Sequence, residues 1–138
     1  MKGKWMTATF AVIILLAAAG LSAVGGQDME KQALMKVIRL QTVIGEEGKE
    51  KQIEPLFDGP RRKLVQITLR KQAVLDAHTA PEPITIQCIA GKGTLLVGDP
   101  GQAVELTPGV LVTIEPGILH EIRAQSEVSI LLTKFMEK

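Results

Sequence analysis

The sequence predicts an all-β fold, an antiparallel sandwich or barrel of about eight strands. Three observations carry this. Apolar and polar residues alternate with period two through most of residues 63–134, the pattern of half-buried strands. Gly- and Pro-containing turn signals interrupt the alternation at intervals too short for helices. Nothing after Lys36 reads as a credible helix.

Lys2 and Lys4 precede an uncharged run over residues 5–27, whose apolar centre at 10–19 gives way to an Ala- and Gly-rich stretch at 21–26. A basic start, an apolar core and a small-residue exit describe a secretory signal peptide. The run is also long enough to serve uncleaved as a membrane anchor, since about 20 apolar residues span a bilayer. Residues 1–26 are therefore expected to be a signal or anchor helix. The remainder is expected outside, in the periplasm or extracellular space, or tethered there. No cysteine follows the apolar run, so lipid attachment is not indicated.

Residues 27–62 are expected to form an N-terminal extension. Asp28 offers a cap for a short helix over 28–35, the alternative being a loose tether, since the stretch is only about two turns long. Ile38, Leu40 and Ile44 then alternate with Arg39, Gln41 and Val43, which predicts a strand over 37–44. The charged stretch 45–52 reads as a solvated loop, and Asp58-Gly59-Pro60 as a turn. Residues 63–138 are expected to be the β-barrel, with strands at 63–70, 74–79, 84–90, 94–97, 103–106, 110–114, 120–124 and 127–134. Turns at 91–93, 98–101, 107–109 and 115–117 separate the later strands.

At 138 residues the chain supports one domain with a modest core. Removing Lys2 and Lys4 from 16 basic residues leaves 14 against 15 acidic, a net charge near −1. The same cut leaves Phe57 and Phe135 as the aromatic residues. No basic footprint and no stacking platform remain, which excludes a nucleic-acid-binding role. Cys88 is the single cysteine, so no internal disulfide is available, and it reads as a core residue.

The chain's only two histidines, His78 and His120, lie in two punctuated segments. The first is His78-Thr79-Ala80-Pro81-Glu82-Pro83-Ile84, running on to Gly91. The second runs from Gly109 to Glu115-Pro116-Gly117-Ile118-Leu119-His120. By alternation His78 shares a face with Asp76 and Ala80, and His120 with Ile118 and Ile122.

These two segments resemble the two-part signature of the cupin superfamily, and the resemblance covers roughly Lys63 to Phe135. His78 falls on the first motif histidine, Gly91 on the closing glycine of the first block, and Gly109, Gly117 and His120 in register with the second. The chain departs from the pattern at four places. Ala80 replaces the second histidine, Ile84 the glutamate, Glu115 the first proline of the second block and Ala124 the asparagine. The resemblance implies a cupin-type jelly roll, the double-stranded β-helix, with the motif histidines pointing into the barrel. It also implies a homodimer, for which the expected 37–44 strand offers an edge.

With Ile84 at the glutamate position, Ile86 and Cys88 face inward as well, while Thr85 and Gln87 face the other way. The expected pocket is thus His78 and His120 set in an aliphatic lining of Ala80, Ile84, Ile86, Cys88 and Ile118. The first functional expectation is an exported protein that binds a small molecule there. Two neutral imidazoles can hydrogen-bond such a ligand or act as acid and base near neutral pH. The alternative is a metal-dependent enzyme of the dioxygenase or isomerase kind, with His78 and His120 holding Fe, Mn or Zn. Waters would complete that shell, or else Asp76, Glu82, Gln87 or Glu115. A dication on two imidazoles without a carboxylate keeps its full charge in a low-dielectric cavity, at a cost of several kcal/mol. Glu115, Glu121 and Arg123 flank His120 and are candidates for the pocket mouth.

Overall fold

Apolar residues on one face of each strand bury themselves between two sheets, and two long bent strands carry the chain from one sheet to the other. The computed structural model describes residues 35–137, and among them there is no helix. The expected signal or anchor segment lies outside these residues. So does the expected 28–35 helix except for Met35, which is coil.

Seven strands follow: β1 (Lys51–Asp58), β2 (Arg62–Leu69), β3 (Val74–His78), β4 (Ile84–Val97), β5 (Gln102–Leu106), β6 (Leu111–Ile114) and β7 (His120–Phe135). Every pairing is antiparallel. β4 and β7 run side by side over nearly their whole length. Their outer halves contribute to one sheet in the order β1-β2-β7-β4-β6, and their other halves to a second in the order β3-β7-β4-β5.

The strands expected at 84–90 and 94–97 are therefore one strand, and so are those at 120–124 and 127–134. The glycines that read as a turn at 91–93 make a bend instead, with register shifts at Cys88/Ala90 and Gly91/Gly93. The bend needs glycine for a steric reason. Gly91 has φ +75°, and a Cβ there would stand 2.2 Å from the Glu127 carbonyl oxygen of β7. At Gly93 the corresponding approach, to the Arg123 carbonyl oxygen, is 2.7 Å.

Two expectations for the extension are corrected. Residues 37–44 are not a strand, although Ile38, Leu40 and Ile44 are half-buried as their alternation implied. β2 already pairs with β1 on one side and β7 on the other, so no ladder position beside it is free. The segment is instead clipped by side chains. Gln66 Nε2 donates to the Gln41 carbonyl at 2.8 Å, and its Oε1 accepts from the Gln41 N–H at 3.2 Å. Arg70 donates to the carbonyls of Gly45 and Lys49, both at 2.9 Å. The second correction is β1, which occupies sequence that read as loop and turn. As the last strand in the sheet order of the described residues it tolerates Pro55, which sits at a bulge.

The core is Ile67, Leu69, Ile84, Ile86, Cys88, Leu95, Leu106, Ile114, Ile122, Val128 and Ile130, each at most 4% exposed, with Ala80 and Ala124 beside them. Burying such a side chain contributes about 1.5–3 kcal/mol. Cys88 is the core residue expected. Burial pushes its thiol above the ordinary cysteine range, against the weaker opposing effect of the Ala90 carbonyl, so the thiolate is disfavoured.

Candidate functional site

His120 opens β7 and His78 closes β3, and the register makes them direct cross-strand partners. Their rings lie 4.4 Å apart, centroid to centroid, inclined at 59°. His120 also pairs with Val97 at the end of β4, so it stands at the junction of three strands and is 3% exposed. His78 stands above it, exposed at the rim.

The two rings are held by the same local device. His78 Nδ1 lies 2.8 Å from the carbonyl of Asp76, and His120 Nδ1 lies 2.9 Å from the carbonyl of Ile118. A carbonyl oxygen only accepts, so each Nδ1 carries a proton, and in the neutral ring Nε2 keeps its lone pair. Desolvation is the main cause that depresses the His120 pKa. The Ile118 carbonyl opposes it, and the nearby charges of His78 and Lys134 add to it. The buried ring is therefore held neutral at pH 7.

Both histidines line a cavity of about 300 Å³, within the range of small-ligand sites. Its floor is aliphatic: Ile53 from β1, Val65 and Ile67 from β2, Leu75 from β3, Ile84 from β4 and Leu132 from β7. Thr79, Ala80, Pro81 and Glu82 form one wall, and Lys134 reaches it from the end of β7. The wall is anchored on both sides of Glu82. Gly117 N–H donates to the Ala80 carbonyl at 2.8 Å, and Phe135 N–H donates to the Pro83 carbonyl at 3.0 Å. Between these anchors, Glu82 Oε2 is buried with no hydrogen-bond partner among the described residues.

Of the residues expected at the pocket, the structure brings His78, His120, Ala80 and Ile84 together on the cavity wall. Ile86 and Cys88 pack in the core, 1% exposed, and are not part of the wall. Ile118 is displaced from it as well. It sits in the turn before β7, 39% exposed, and contributes its carbonyl to His120 rather than its side chain to the pocket. Asp76 does not share a face with His78, because β3 shifts register between Leu75 and His78. Its carboxylate is exposed and lies 4.0 Å from Lys51 Nζ. Glu121 accepts a hydrogen bond from Arg123.

Sequence reasoning missed Val65, Ile67, Leu75, Thr79, Pro81 and Leu132 as lining residues, and with them Ile53 and Lys134. Lys134 carried a usable signal, since Ile130, Leu132 and Lys134 share one face of β7 by alternation. Ile53 carried none, because its strand was hidden in a charged, proline-containing stretch.

The metal that the resemblance implies can be tested against this donor set. Among the described residues no three His, Cys, Asp or Glu side chains converge as a metal-holding group. Two imidazole nitrogens fall short of the three protein ligands usual in a catalytic zinc site. The described residues do not make a protein metal shell.

No family model matches the sequence, and no curated protein matches it. Solved structures do match. An RmlC-like cupin protein from Desulfovibrio desulfuricans superposes with a TM-score of 0.64 at 19% identity, covering 73% of this chain and 96% of that one. An RmlC-like cupin family protein with a double-stranded β-helix fold from Methanocaldococcus jannaschii gives 0.61 at 17% identity, over 75% and 93% of the two chains. A cupin domain from Bordetella pertussis gives 0.55 at 16% identity, over 67% and 100%. At these identities the likeness concerns architecture. With its two bent sheets closed around a histidine-lined cavity, the chain has the fold of the cupin superfamily, the double-stranded β-helix.

Proposed function

We propose that this protein binds a small organic molecule between the two sheets, with His78 and His120 as hydrogen-bonding anchors above an aliphatic floor. The observation that carries the reading is the pairing of two imidazoles, each with Nδ1–H tied to its own backbone, on the wall of a cavity with an aliphatic floor. Tethering both rings removes most of the ordering cost that a ligand would otherwise meet. Apolar surface then supplies affinity, and the polar atoms fix orientation. Catalysis is not part of the proposal. We place the protein outside the cytoplasm on the strength of residues 1–26, as an exported or anchored domain.

A screen of small organic fragments by two-dimensional NMR tests the binding reading. Fragments that bind are expected to shift the amide signals of Leu75, His78, Ala80, Ile84, His120 and Leu132 together. Ala80→Leu fills part of the cavity and should abolish those shifts while leaving the fold intact. Fragments that shift only residues outside the cavity, or that bind Ala80→Leu equally well, would remove the proposal.

A further inference from the structure

We propose that the pocket's ligand is a small hydroxy acid, held with its carboxylate on Lys134, its hydroxyl on the imidazole pair and its carbon body on the aliphatic floor. The inference rests on the small-molecule reading above and names the class of ligand.

The cavity presents a cationic donor and a pair of acceptors. Lys134 is the cationic side chain of the wall, and alternation puts it on the same face of β7 as Leu132 of the floor. It pairs across to β4 with Ile84, another wall residue. Its charge is felt at the buried histidine: after desolvation, the charges of His78 and Lys134 depress the His120 pKa. Among the described residues Lys51, Lys63, Lys92 and Arg123 form ion pairs with carboxylates, and Lys134 does not. An ammonium donates and accepts nothing.

The imidazoles offer the reverse. His78 and His120 each spend Nδ1–H on a backbone carbonyl, so in the neutral ring only the Nε2 lone pair is left for a ligand. A bare carboxylate satisfies Lys134 but has no proton for these lone pairs. A plain alcohol donates to them and leaves the positive charge unmatched. A molecule carrying both groups uses both handles, the carboxylate–ammonium contact being the stronger because it is charge-assisted.

The floor decides against an inorganic anion. Val65, Ile67, Leu75 and Leu132 have no role toward a hydrated ion, but they cover the carbons that join a hydroxyl to a carboxylate. Glu82 is the acidic residue of the same wall. Its Oε2 is buried with no hydrogen-bond partner, so that oxygen neither holds Lys134 nor meets the ligand.

The test is calorimetric titration of the full-length chain at pH 8 with 3-hydroxybutyrate, butyrate and 1,3-butanediol, which share a carbon skeleton. 3-Hydroxybutyrate should bind about tenfold more tightly than the diol, the low end of what a hydrogen bond to a charged group contributes. It should bind about threefold more tightly than butyrate, the low end for a neutral hydrogen bond. Lys134→Met should bring 3-hydroxybutyrate to within about twofold of the diol and leave the diol's affinity unchanged, as the lost contact is charge-assisted. Equal binding of 3-hydroxybutyrate and the diol by the wild type overturns the hydroxy-acid inference alone, as does a preference that survives Lys134→Met. Equal binding of 3-hydroxybutyrate and butyrate overturns it as well, because the hydroxyl then finds no acceptor. Failure of all three probes to bind at tens of millimolar overturns the pocket reading with it. If Lys134→Met does not fold, the wild type decides: the side-chain NMR signals of Lys134 should move with both carboxylates and stay in place with the diol, and signals that no carboxylate moves overturn the inference.

Discussion

Each histidine owes its available nitrogen to a carbonyl two residues behind it, and this arrangement makes a spectroscopic prediction. The Nδ1–H tautomer is expected for both rings, because the Asp76 and Ile118 carbonyls can only accept. Nitrogen-15 NMR of the side chains at pH 8 checks it, and an Nε2–H tautomer at His120 would refute the tether. A pH dependence follows from the lowered His120 pKa. The unfolded ring titrates near 6.5 and the folded ring below it. Between the two values the unfolded state binds more protons, so stability rises with pH. The fold should therefore lose stability as pH falls below about 6.5, continuing until the folded ring is itself protonated. Denaturant melts from pH 8 to pH 5 measure this. His120→Gln should flatten that part of the profile, and parallel profiles for the two proteins would dismiss His120 as its source.

At the level of elements, the strands from 62 onward were legible because one face of each is buried, and burial imposes a period of two on the sequence. Ends and continuity were less legible. Gly91 and Gly93 give the same letters whether the chain reverses or bends, and only the approach of β7 separates the two cases. The half-buried Ile38, Leu40 and Ile44 wrote a strand pattern into a segment whose partner is the Gln66 side chain. β1 was hidden for the converse reason, being an edge strand with charge and Pro55 in it. The bend yields a paired prediction. Gly91 and Gly117 have nearly equal φ, +75° and +76°, but a Cβ meets the Glu127 carbonyl at 2.2 Å in the first and nothing within 4 Å in the second. Gly117→Ala should cost about 1–2 kcal/mol, the left-handed backbone penalty alone. Gly91→Ala should cost at least about 2 kcal/mol more. Similar losses in chemical denaturation would mean that the bend does not depend on close strand contact.

The whole molecule raises two further questions, its assembly and the independence of the barrel from its site. The expected dimer loses the 37–44 strand as its edge. We propose a dimer nonetheless. Light scattering at micromolar concentration should give twice the chain mass, and a monomer would count against it. The cavity was legible only in part. His78, His120, Ala80 and Ile84 came from motif spacing, whereas Ile53 comes from a strand the sequence concealed.

If the barrel stands without a metal shell, the shell can be rebuilt without disturbing the barrel. Ala80 and Ile84 occupy the positions where the cupin pattern has histidine and glutamate, and both lie on the cavity wall with His78 and His120. The backbone there is fixed by the Gly117 bond to the Ala80 carbonyl and by the pairing of Ile84 with Ile114 and Lys134. The double change Ala80→His with Ile84→Glu should therefore place four ligands around one point. Ile84→Glu alone buries a second carboxylate near Glu82, which costs several kcal/mol or drives its protonation. A bound dication offsets that cost, and binding then raises the melting temperature by mass action. Thermal melts of wild type and double mutant with and without Mn²⁺, Fe²⁺ or Zn²⁺ measure the coupling, and a large metal-dependent shift is expected in the mutant alone. An equally large shift in the wild type would mean that His78 and His120 already recruit enough ligands to hold a metal. The metal-dependent reading of the cavity would then replace the metal-free one.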